Sequence, residues 1–96
     1  MTQADILQTL TAFKANKSSE YGIQALGVFG SMARGQAHSE SDLDVVIRLD
    51  KQDLFNLIGI KQDLEEQLGV AVDVVSYREK MNDYLKSKIE EEALYA

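Results

Sequence analysis

The sequence predicts an α/β (α+β) protein, a small mixed sheet of three or four strands with helices covering mainly one face. Three observations predict it. Segments 3–18 and 53–68 repeat apolar residues at helical spacing. Segment 23–29 is a short apolar run before glycine, and segments 42–49 and 70–75 are short and rich in valine and isoleucine. The two kinds of segment alternate along the chain, in the order α-β-α-β-α-β-α.

The first helix is expected over 3–18. Thr2 and Asp5 form a capping signal, and Ile6, Leu7, Leu10 and Phe13 make its apolar stripe. Ile23 to Phe29 reads as a buried strand. The run Gly30-Ser31-Met32-Ala33-Arg34-Gly35 reads as a sharp turn into one or two helical turns, stopped at Gly35. Residues 36–41 are polar loop. Asp42 to Leu49 is the second strand. Asp50 or Asp53 caps a second long helix that ends at Gly69, with Leu54, Leu57, Leu64 and Leu68 as its buried face. Val70 to Val75 is the third strand. Residues 79–94 form a last helix with Met81, Leu85 and Ile89 on one side.

The 96 residues carry a net charge of −6 and contain no proline, no cysteine and one histidine, His38. No linker, repeat or low-complexity run divides them, so one domain over 1–96 is expected. Without cysteine there is no disulfide framework and no thiolate metal site. The opening MTQADILQTL lacks a signal-peptide pattern, and no apolar run reaches the roughly 18 residues of a membrane span. A cytoplasmic protein with no membrane association is expected. The acidity also argues against direct nucleic-acid binding.

Asp42 and Asp44 sit two apart on a strand, so their side chains share a face. If Leu43, Val45 and Ile47 face the core, both carboxylates face away from it. Such a pair tolerates closeness when solvated, when sharing a proton, or when binding a cation. Asp73 interrupts the apolar run V-A-V-D-V-V, and with Val70, Val72 and Val74 inward it faces outward too. Two neighbouring strands can thus present three carboxylates to one open face. Oxygen-only ligands of this kind suit Mg²⁺ or Mn²⁺; the alternative is an edge strand with a wet outer face. Gly30 lets backbone approach a ligand closely, and Ser31 can cap a helix or donate to phosphate. Arg34 lies one turn on, where it can meet a triphosphate or simply end a helix in solvent. Arg48 and His38 read first as surface side chains, with a contact to the aspartates or nucleotide and to a nucleobase or partner as the respective alternatives; Tyr77 and Arg78 read equally as strand-end packing or as base contacts.

Taken together, Gly30-Ser31, a ten-residue spacer, Asp42-Leu43-Asp44 and the later Asp73 resemble the DNA polymerase β-type nucleotidyltransferase superfamily. The stretch from Gly30 to Gly35, continued by Ser41-Asp42-Leu43-Asp44, is similar to its minimal nucleotidyltransferases. The resemblance spans nearly the whole chain, including the ending Ile89-Glu90-Glu91-Glu92-Ala93-Leu94-Tyr95. It implies Asp42, Asp44 and Asp73 as catalytic and metal-holding residues, and Gly30, Ser31, Arg34 and Ser41 as nucleotide-binding. It implies Mg²⁺ or Mn²⁺ as cofactor and ATP as substrate. It also implies an antitoxin, in a hetero-oligomer with a HEPN-domain ribonuclease toxin, that transfers AMP to a toxin hydroxyl, expected to be a tyrosine. Two alternatives stand beside this: an antitoxin that only masks its partner, and a small-molecule adenylyltransferase.

Overall fold

The computed structural model describes residues 2–30, 33 and 42–96. Among them the order is α1 (Gln3–Tyr21), β1 (Ile23–Phe29), β2 (Leu43–Leu49), α2 (Leu54–Leu68), β3 (Val72–Ser76), α3 (Asp83–Glu92) and β4 (Leu94–Tyr95). The strands form one mixed sheet in the order β3-β2-β1-β4. The β1–β2 and β1–β4 pairs are antiparallel, and β2–β3 is parallel. A parallel neighbour needs a crossover, and α2 supplies it.

Helix α1 begins in a full capping box. Thr2 Oγ1 accepts from the Asp5 N–H, and the Asp5 carboxylate accepts from the Thr2 N–H, both at 3.1 Å. The Thr2 backbone N–H first, and the Thr2 side chain second, hold the Asp5 carboxyl below its usual pKa. The helix runs three residues beyond the expected 18 and stops at Gly22, whose φ of 69° is left-handed. Helix α2 starts on Asp53, which accepts from the Phe55 and Asn56 N–H groups, and ends at left-handed Gly69.

Alternation in the strands divides the interior into two parts. Leu43, Val45 and Ile47 of β2, with Leu26 and Val28 of β1 and Val72 of β3, face α1 and α2. There they meet Ile6, Leu10 and Phe13 from α1 and Ile60, Leu64 and Leu68 from α2. Each such side chain contributes roughly 1.5–3 kcal/mol by leaving water. The other sheet face is covered only in part. Ile89 of α3 packs there on Phe29 and Val46, with Val75, Tyr77, Met81 and Leu85 around them.

The structure corrects three details of the sequence reading. Leu54 was expected in the buried face of α2 but is 69% exposed, and Ile60 takes its place in the core. Leu54 is the first residue of the helix after its Asp53 cap, and its side chain lies at the surface. The last helix does not run over 79–94. Asn82 caps it, accepting from the Leu85 N–H, and Ala93 turns extended at φ −64° and ψ 136°. Leu94 and Tyr95 then pair with Val28 and Gly27 as a fourth strand, so an open sheet edge prevails over helix continuation. The third strand begins at Val72 rather than Val70. The turn and short helix expected over 30–35, and the loop over 36–41, lie largely outside the described residues.

Candidate active site

Residues 42, 44, 46 and 48 share the partly covered face of β2, opposite Leu43, Val45 and Ile47. Asp42 is exposed just before the strand, and Asp44 is half-buried within it. On β3, Val72 is buried against α1 and α2 while Asp73 is exposed. In the parallel register Asp44 lies opposite Asp73. Both carboxylates therefore rise from adjacent strands to the same face.

Gly30 closes β1 beside them. It is buried, with φ of 73°, where a side chain is strained. A Cβ placed there would meet Oδ2 of Asp44 and would lie 3.3 Å from its Cγ. The glycine thus permits backbone to press against the acidic group. Beyond it, the Gln3 side-chain amide donates to the Ala33 carbonyl at 3.2 Å, tying the start of α1 to the turn after β1. Sequence reasoning missed this tether, since nothing in the pattern links residues thirty positions apart.

Ser31, Arg34, Ser41 and His38 lie outside the described residues. Among the described residues no three acidic or histidine side chains close on a common point. What the structure brings together is the Asp44–Asp73 pair, with Asp42 two residues along the same strand. That donor set fits Mg²⁺ or Mn²⁺, because Mg²⁺ commonly takes one or two carboxylates and completes its shell with water and substrate phosphates. Arg48, at the far end of the same face, lies 5.7 Å from the Tyr77 ring centroid. Tyr77 donates its hydroxyl to Glu90 at 3.0 Å, which raises its pKa. Arg48 and Tyr77 are thus engaged in a surface contact at the end of the sheet opposite Asp44.

A family model described as a nucleotidyltransferase domain matches residues 8–96. The chain belongs to this nucleotidyltransferase family. Relatives agree with that placement. Protein adenylyltransferase MntA of Thermococcus cleftensis is 36% identical over 93% of this chain and 86% of its own length. A solved structure assigned as a minimal nucleotidyltransferase is 32% identical, covering 98% of this chain and 95% of that one, with a TM-score of 0.80. A chain from the complex of a tri-AMPylated Shewanella oneidensis HEPN toxin with its MNT antitoxin shares the fold. Its TM-score is 0.72 at 17% identity, covering 98% of this chain and 71% of that one. Among its described residues the nucleotidyltransferase has three helices and a four-stranded mixed sheet, and it shares its fold with these neighbours. Among the described residues, no helix is long and apolar enough to cross a membrane.

Proposed function

We propose that this nucleotidyltransferase moves AMP from ATP to a hydroxyl, expected to be a tyrosine, of a HEPN-domain toxin, and acts as that toxin's antitoxin. The observation that carries the proposal is the Asp44–Asp73 register beside Gly30, in a chain similar to a named protein adenylyltransferase. In this reading Asp42, Asp44 and Asp73 hold Mg²⁺ or Mn²⁺. The cation, when bound, neutralises triphosphate charge and lowers the pKa of an attacking hydroxyl. Gly30, with Ser31, Arg34 and Ser41, holds the phosphates and keeps pyrophosphate in line to leave. Asp73 accepts the hydroxyl proton. The hydroxyl oxygen forms a bond to the α-phosphorus, and the bond from that phosphorus to the bridging oxygen of pyrophosphate breaks. The acidity of the chain does not repel its substrate, because the cation supplies the positive charge.

The test is co-expression of the chain with its candidate toxin, followed by intact mass measurement and a growth assay. The expected result is a mass increase of about 329 Da for each adenylate on the toxin, with growth restored. Both should disappear when Asp42 and Asp44 become Asn. Protection that survives without modification would establish a masking antitoxin instead. Adenylylation of only a small hydroxyl compound would establish the small-molecule enzyme.

A further inference from the structure

The sheet has two edges, and the fold treats them differently. At one edge β4 is only two residues long. At the other, β3 alternates. Leu43 N–H donates to the Ala71 carbonyl and Tyr77 N–H to the Ile47 carbonyl. In a parallel ladder this phase turns the N–H and C=O of 73 and 75 toward β2 and those of 72, 74 and 76 outward. Val72 is closed off from α2. Its N–H donates to Glu65 Oε2 at 2.9 Å, and its carbonyl accepts from Lys61 Nζ at 2.7 Å. No such clamp covers the outward backbone groups of Val74 and Ser76 among the described residues.

Beside that open stretch runs a groove of about 530 Å³. Leu54 and Leu57 of α2 form one wall, and Met81 and Leu85 before and in α3 form the other. Leu54 stands 69% exposed at its rim. Unpaired backbone donors and acceptors beside an apolar trough match one ligand chemistry, an extended polypeptide with apolar side chains at alternate positions. A second copy of this chain is disfavoured as the source, since it would bring −6 against −6.

We propose that residues 74–76 of β3 and the adjoining groove bind an extended segment of a different, less acidic protein as an added strand. The Lys61–Glu65 clamp ends the pairing at Val72 and so fixes its register. The inference stands on the edge and the groove, not on the transfer reaction.

Short peptides selected from a displayed random library on the intact chain supply the probe, and amide exchange by NMR reads it. The bound peptide is expected to slow exchange at Val74 and Ser76 and to leave Val75, already bonded to β2, unchanged. Ser76→Pro removes an outward N–H while sparing the ladder. Leu54→Lys places a charge on an exposed lip and leaves the core alone. Each variant is expected to weaken binding by about tenfold or more. Peptides N-methylated at the positions facing β3 should fail, and those methylated at the intervening positions should bind. The proposal is overturned if no saturable peptide emerges, if Val74 and Ser76 exchange as before when peptide is saturating, or if Leu54→Lys binds normally. A homodimer of the chain that Ser76→Pro dissolves would overturn it as well.

Discussion

Asp44 and Asp73 stand opposite each other in the parallel register of β2 and β3, on the sheet face away from α1 and α2. Two like charges in that position favour whatever brings positive charge to them. Their separate replacement distinguishes chemistry from architecture. Asp73 is exposed, so Asp73→Asn should shift stability by no more than about 0.5 kcal/mol. AMP transfer should fall by about a hundredfold or more. Urea unfolding and transfer of labelled adenylate check the two halves. Full activity in this variant would remove Asp73 from the site. Asp42 is exposed too, so Asp42→Asn should likewise shift stability by no more than about 0.5 kcal/mol while transfer falls.

Gly30→Ala tests the close approach to Asp44. The left-handed backbone alone should cost about 1–2 kcal/mol. The added methyl must also displace the Asp44 carboxylate. A lowered urea midpoint together with lost transfer is expected. A variant with wild-type stability would contradict the tight contact.

Nucleotide affinity should depend on metal. Because the acidic side chains proposed to hold the metal offer only carboxylate oxygens, ATP should bind far more tightly with Mg²⁺ or Mn²⁺ than alone. Titration calorimetry with and without chelator measures this. Equal affinities in an active preparation would defeat the metal assignment.

The Glu65 clamp predicts a pH dependence. Its carboxyl is held below the ordinary value by the Val72 N–H first and the Lys61 ammonium second. A lowered folded pKa means the stabilisation is complete above the unfolded value and fades as pH falls through the folded one. Glu65→Gln should therefore lower the urea midpoint near neutrality, and the gap between variant and parent should narrow in acid. A gap that widens in acid would reverse the sign and refute the clamp.

Much of this was legible because strand parity is a strict period of two. Val45 and Ile47 inward fix Asp44 outward, and Val72 inward fixes Asp73 outward. The capping residues Thr2 and Asp53 and the stop Gly69 act locally, which is why those helix ends fell close to expectation, whereas α1 runs past residue 18 to Gly22. Other features depend on distant partners. Leu94 and Tyr95 leave the helix only because β1 offers them an edge. Leu54 carries an apolar side chain that helical spacing alone does not separate from the buried ones. The pairing of Gln3 with Ala33 and the pressing of Gly30 on Asp44 have no local signature. Ser41 rests on the motif alone, and Ser31, Arg34 and Ser41 all lie outside the described residues.

The parallel pairing of β2 with β3 also sets an order of events. Phe29 opposes Asp44 at a separation of 44 − 29 = 15 residues, whereas Asp44 opposes Asp73 at 73 − 44 = 29. Gly27 opposes Tyr95 at 95 − 27 = 68. Contacts of longer range close more slowly, because loop entropy must be met before they form. The β1–β2 ribbon is therefore expected to assemble first, the acidic pair only after α2 has crossed over, and β4 last. A cation bound as proposed would meet paired carboxylates only in the finished molecule, where it would slow unfolding rather than hasten assembly.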